Sequence, residues 1–191
     1  LFAAFHRLRA GLLSVPTGVP FRCGMMTLWV GNIRYTGPML FALAWFFNFL
    51  IGGLSGVFLS DVPSDVTTHG SFFSMAHFHY TIMGGLIFTF FAALYYWVPK
   101  MTGFQLNERL GKIHLWTIFI SFNSTFEPLF AIGFLGQPRL DATHPLDLHF
   151  LHVWVTVAAS LVALTFLLFL YHLFRPPAFT ASPDAASSVR P

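Results

Sequence analysis

Apolar residues run through this chain in long blocks rather than narrow amphipathic stripes. Pro38–Ser60 contains no charged side chain. Ser71–Pro99, Leu110–Gly136 and Leu148–Phe174 repeat the pattern with few polar interruptions. About 20 apolar residues cross a bilayer as a helix, so each block predicts a transmembrane helix. Leu1–Trp29 is a poorer candidate. It carries His6, Arg7, Arg9 and Arg22 and is interrupted by Pro16-Thr17-Gly18-Val19-Pro20, which predicts a broken or peripheral span. Residues 1–177 read as one transmembrane helical domain. The stretch 178–191 is rich in Ala, Ser and Pro and predicts a disordered tail.

Composition agrees with the blocks. Of 191 residues, 55% are hydrophobic and 9% charged, and 25 are Phe; soluble domains carry about 25% charged residues. The pattern predicts an integral membrane protein in a lipid bilayer. The lone Cys23 excludes an internal disulfide framework and a Cys-based zinc or iron–sulfur centre. A net charge of +3 with no basic stripe gives no footprint for nucleic acid. Leu1, in place of Met, predicts an internal or C-terminal piece of a longer polypeptide.

Loop charges orient the blocks. Arg22 and Arg34, then Lys100, Arg109 and Lys112, then Arg175 and Arg190 fall on one side if the spans alternate, and that side is assigned to the cytoplasm. Asp61 and Asp65, then Arg139, Asp141 and Asp147, fall on the other. Arg7 and Arg9 fit this arrangement badly.

Polar residues inside the blocks carry the candidate chemistry. His77 and His79 lie mid-block, where imidazoles are costly. On a helix their spacing sets them about 200° apart, so they do not grip one metal together. Either they are polar residues satisfied within a bundle, or each ligates a different centre; neutral imidazole is a standard axial ligand for heme iron. His69 is expected at the outer end of the same helix, with Asp65 in the loop before it. That pair suits heme propionates or a divalent ion, or equally an interfacial helix start. Arg139 suits a carboxylate through its planar fork, or is an ordinary interfacial arginine. Glu127, beside a kink expected at Pro128, reads as a proton carrier or as an acid meeting water or a neighbouring polar group. His144, His149 and His152 suit a surface metal or a wet interface. Gly52-Gly53 and Gly84-Gly85 predict close helix packing or close approach of a flat cofactor.

Ala76-His77-Phe78-His79-Tyr80 resembles the signature of the heme-copper oxidase family, in subunit I of cytochrome c and quinol oxidases. The neighbouring motifs agree. Thr36-Gly37-Pro38-Met39-Leu40 and Gly52-Gly53-Leu54-Ser55-Gly56 resemble the two ends of the family's ninth helix. Tyr96-Trp97-Val98-Pro99-Lys100 and Leu106-Asn107-Glu108-Arg109-Leu110 are similar to the loop between helices ten and eleven, and Phe122-Asn123 with Gly136-Gln137-Pro138-Arg139 to the eleventh helix and its exit. The motifs cover residues 14 to 175.

The resemblance implies the C-terminal five helices of a twelve-helix subunit, in a bacterial plasma membrane. His77 would ligate a high-spin heme at which oxygen is reduced to water, and His79 a low-spin heme, the hemes being A-type. Asp65, His69 and Arg139 would belong to the propionate region, with magnesium near His69. Proton translocation, the remaining helices of the subunit, other oxidase subunits, and cytochrome c or a quinol as electron donor are implied with it. Four positions depart from the family: Gly70 stands where an Asp usually follows the His, Leu140 where a second arginine does, Pro20 where many members carry a lysine serving a proton path, and Glu127 where the residue is commonly apolar. In the family the copper ligands and the low-spin heme's second histidine lie on earlier helices. The alternatives are a non-catalytic membrane fragment and a heme-binding electron-transfer module without oxygen chemistry.

Overall fold

The computed structural model of the protein describes residues 2–103, 106–141, 143 and 145–174, without the side chains of 2–7, 9 and 10. The expected tail, Arg175 and His144 lie outside these. The described residues form seven α-helices, α1 Phe2–Val30, α2 Gly37–Ser60, α3 Val62–Thr68, α4 Phe72–Ile82, α5 Phe88–Thr102, α6 Glu108–Phe134 and α7 His149–Phe174. A π-helical turn, Met83–Ile87, joins α4 to α5, and a 3-10 turn, Leu146–Leu148, leads into α7. Among the described residues, four segments are long and apolar enough to cross a membrane: Gly37–Ser60, Phe72–Thr102, Glu108–Phe134 and Leu146–Phe174. The protein is an all-α integral membrane protein, as its apolar blocks predict.

Local chemistry sets the helix ends. Pro38 and Pro63 open the first turns of α2 and α3, where a missing N–H costs nothing. The Ser71 hydroxyl accepts from the Phe73 N–H at 3.1 Å and caps α4. The Asn107 carboxamide oxygen accepts from the N–H groups of Arg109 and Leu110 and caps α6. Gly70, at φ +72°, makes the turn between α3 and α4.

Prolines lie inside α1 and α6. α1 runs unbroken through Pro16 and Pro20 instead of stopping there. It is not among the four segments apolar enough to span. Pro128 lies within α6, which also continues. A proline lacks the N–H that would bond the carbonyl four residues back, here that of Ser124. The Trp154 indole N–H donates to that carbonyl from α7 at 3.1 Å, so a neighbouring helix satisfies the acceptor that the proline leaves open.

The core lies where α2, α4, α5 and α6 cross. Phe41, Tyr80, Phe88, Phe91 and Phe122 are fully buried there, and the rings of Phe41 and Tyr95 stack 5.4 Å apart. Gly52 lets α2 approach the α4 backbone, since a Cβ there would lie 2.9 Å from the Thr81 nitrogen. Gly84 and Gly85 pack against Asn48 and Phe49 of α2, while Gly53 faces open space. At one end of the bundle the two connections meet: the Phe72 N–H donates to the Gln137 carbonyl and the Arg139 N–H to the Gly70 carbonyl.

Candidate functional site

α4 carries both central histidines and directs them to different neighbours. His77 faces α2. Its Nδ1 lies 3.0 Å from the Gly52 carbonyl and 3.1 Å from the Ser55 hydroxyl. A carbonyl only accepts, so the Nδ1 of His77 carries the proton and the lone pair of the neutral ring resides on Nε2. Ser55 donates its own proton to the same Gly52 carbonyl at 2.9 Å and is left to accept from the imidazole. Gly56 makes room for the ring: a Cβ there would lie 2.7 Å from the His77 Cε1. Beside His77 a cleft of about 400 Å³ opens between α1, α2 and α4, with Gly52, Gly53, Gly56 and Thr81 on its wall.

His79 faces α6. Its Nδ1–H donates to the Met75 carbonyl one turn back at 2.8 Å, which again leaves the lone pair on Nε2. The ring stacks on Phe126 with centroids 4.3 Å apart and meets Phe78 at 4.2 Å. Each imidazole is thus held in the tautomer that a metal ligand needs, through the kind of backbone bond that commonly orients ligating histidines. Small residues beside His77 leave room for a planar macrocycle, and the aromatic rings beside His79 fix the plane of its imidazole. The donor chemistry of the two imidazoles fits ligation of heme iron.

The other candidates gather at the end where the connections meet. His69 is not on the His77 helix: α4 starts at Phe72, and His69 ends the short helix α3. Gly70 allows the turn that separates them. Asp65 lies within α3 rather than in a loop, and its carboxylate meets the Nδ1 of His69 at 3.1 Å. Arg139 joins the same place through its backbone bond to Gly70, with its side chain exposed. His152 instead meets the Gln137 side chain at 2.9 Å. Glu127 is exposed on α6 and does not join either histidine of α4 by a hydrogen bond. Among the described residues, no group of three or more His, Cys, Asp or Glu is placed to hold a metal ion.

Two buried polar networks escaped the sequence reading. The Tyr80 hydroxyl donates to the Asn123 side-chain oxygen at 2.9 Å, and Asn123 donates to Asn48 at 3.2 Å, so α4, α6 and α2 are tied together directly beside His79. The Tyr95 hydroxyl sits 3.1 Å from the Nδ1 of His114 and 3.1 Å from that of His172, joining α5, α6 and α7. One hydroxyl proton serves only one acceptor, so two neutral imidazoles here adopt opposite tautomers. Tyr95→Phe removes both bonds inside the core. It is expected to lower stability by about 1–3 kcal/mol, read as a fall in thermal midpoint of the detergent-solubilised protein; an unchanged midpoint would show that the network contributes nothing. The sequence signal was two single histidines in apolar helices, without the spacing of a motif.

Comparison with known proteins identifies the family and the fold. The sequence profile of the family described as Cytochrome C and Quinol oxidase polypeptide I matches residues 2–169. Cytochrome c oxidase subunit 1 of Synechocystis is 39% identical over 163 residues, which is 85% of this chain and 30% of that protein. The probable quinol oxidase subunit 1 of Staphylococcus aureus is 40% identical over 183 residues, 93% of this chain and 28% of that protein. This chain therefore spans less than a third of these relatives. The structure described as the cryo-EM structure of a heme-copper terminal oxidase dimer matches with a TM-score of 0.69 and 16% identity, over 94% of this chain and 38% of that one, which establishes the shared fold. With the profile spanning most of the helices and the paired histidines within it, the chain belongs to the cytochrome c and quinol oxidase polypeptide I family.

Proposed function

We propose that this chain forms the C-terminal part of a terminal oxidase subunit I and supplies one axial imidazole to each of two hemes. The observation that carries this reading is the pair of opposed imidazoles on α4, each with Nδ1–H bonded to a backbone carbonyl and Nε2 left to ligate. His77, beside the cleft between α1, α2 and α4, would hold the high-spin heme, and His79, beside Phe126, would hold the low-spin heme. When bound, the hemes, taken as A-type, supply one-electron transfer and the reduction of oxygen to water, coupled to proton translocation. The chain's own residues orient the ligands, set the two sites back to back across one helix, and exclude water with aromatic side chains. Asp65, His69 and Arg139, at one end of the bundle, would be the groups that meet the propionates. Magnesium near His69 would have to do without a carboxylate at Gly70.

Copper and the second low-spin ligand come from the remaining helices of the subunit. Other oxidase subunits, with cytochrome c or a quinol as electron donor, complete the assembly in a bacterial plasma membrane. The test is His79→Ala in the assembled oxidase, with reduced-minus-oxidised spectra recorded. The low-spin band is expected to disappear while the carbon-monoxide-reactive heme remains. A low-spin band of wild-type size would overturn the assignment.

A further inference from the structure

Tyr80 follows His79 on α4 and is fully buried. Its ring stacks on Phe130 with centroids 5.5 Å apart and meets Phe122 edge-on at 5.2 Å. Its hydroxyl donates to the Asn123 Oδ1 at 2.9 Å. Among the described residues this is the one side-chain hydrogen bond that joins α4 to α6. Asn123 is itself held on two sides. Its Nδ2 donates to the Phe119 carbonyl one turn back at 2.9 Å and to the Asn48 Oδ1 of α2 at 3.2 Å.

Two consecutive residues of α4 thus meet positions one turn apart on α6. Tyr80 meets Asn123, and the His79 ring lies on Phe126 with centroids 4.3 Å apart and planes 17° apart. Three residues are about 4.5 Å of rise, so the hydrogen bond and the stack depend on the same relative height of the two helices. The His79 bond to the Met75 carbonyl stays within α4 and gives the ring no reference outside its own helix. Aromatic pairs tolerate offset of one ring over another, whereas a hydrogen bond weakens steeply away from its preferred angle. The polar link is therefore the part of the contact that resists sliding.

The third member shows that packing alone does not account for the network. Asn48 is fully buried, and its Nδ2 meets no hydrogen-bond partner. A buried donor without a partner is destabilising, and an apolar residue avoids that cost. Polar side chains kept in an apolar seam set register at a cost in stability.

We propose that Tyr80, Asn123 and Asn48 are positioning residues for the His79 imidazole: their hydrogen bonds set the height of α6 against α4, and with it the plane of the ring that ligates the low-spin heme. Groups that fix the orientation of a ligating ring tune the metal it holds. The inference rests on the reading of His79 as the low-spin ligand.

The test uses the assembled oxidase, with electron paramagnetic resonance of the oxidised low-spin heme and reduced-minus-oxidised spectra recorded together. Tyr80→Phe retains the ring and removes only the hydroxyl. It is expected to shift the low-spin g values and band position, while the carbon-monoxide-reactive heme keeps its wild-type spectrum. Asn48→Leu removes one link along with the unpartnered donor. It is expected to shift the low-spin signal less, because Asn123 keeps its bonds to Tyr80 and Phe119. An unmoved low-spin signal in either variant would overturn the proposal, as would equal displacement of both heme signals, the mark of a general loosening. His79→Ala separates this inference from the reading beneath it. A low-spin signal that survives His79→Ala sinks both, whereas one that is lost there and unmoved in Tyr80→Phe or Asn48→Leu sinks this inference alone.

Discussion

Substituting His77 by Ala is expected to lower oxygen consumption by the assembled enzyme more than about 100-fold. The scale follows from the partners of ligating histidines, whose removal alone typically costs 10–100-fold; removal of the ligand has to exceed that. Ser55→Ala gives the graded comparison. The Gly52 carbonyl still accepts from His77 at 3.0 Å, so the ring keeps its tautomer and loses only the second contact at 3.1 Å. Activity is expected to fall by about 10-fold or less, with a shifted high-spin spectrum. Gly56→Leu tests the space around the ring, because even its Cβ would stand 2.7 Å from the His77 Cε1; it is expected to resemble His77→Ala in heme content. Oxygen uptake per heme, measured in the same membranes, separates these outcomes. Activity within twofold of wild type in His77→Ala would end the assignment of His77 to the oxygen-reducing heme.

That ordering of effects shows what was and was not legible in the sequence. The histidines themselves were legible, because ionisable residues inside charge-poor blocks stand out and their spacing of two forces them apart. Their orienting groups were not. The acceptors are the backbone carbonyls of Gly52 and Met75, and a carbonyl has no residue type to search for. Ser55 lies 22 residues before its histidine, and only the crossing of α2 and α4 brings them together.

The helices were legible for a similar reason, since block length against bilayer thickness needs no tertiary information. Proline chemistry predicts a broken or peripheral α1 and a kink in α6; α1 runs unbroken but is not among the spanning segments, and α6 continues through Pro128 because the freed carbonyl finds a donor. That donor, Trp154, lies 30 residues beyond Ser124 in sequence. The placement of His69 failed. An apolar run says where a helix can exist and not where a glycine turns the chain, and Gly70 with Ser71 as cap starts α4 after His69. Tyr95 and His172 are 77 residues apart, so nothing local marks them as partners.

The largest structural effect is expected at Gly133. A Cβ at this position of α6 would fall onto the Phe73 backbone nitrogen and within 2.6 Å of the Phe73 Cα and Cβ. No rotamer change relieves a collision with backbone, so α4 and α6 have to separate. Adding volume to a packed core typically costs 1–3 kcal/mol, and a backbone collision places Gly133→Ala at about 3 kcal/mol or more. The displacement reaches the site. Phe73 lies one turn before His77, about 6 Å along α4, and the ring of His79 rests on Phe126 of α6 at 4.3 Å. Separating the two helices therefore pulls His79 from its stacking face while His77, anchored to α2, moves less. Gly133→Ala is expected to lower the thermal midpoint in detergent and to deplete the low-spin heme before the high-spin one. Gly37→Ala, whose Cβ meets nothing within 4 Å, is expected to do neither. A Gly133→Ala protein that melts with wild type and binds both hemes equally would show that α4 and α6 are not in contact at this crossing.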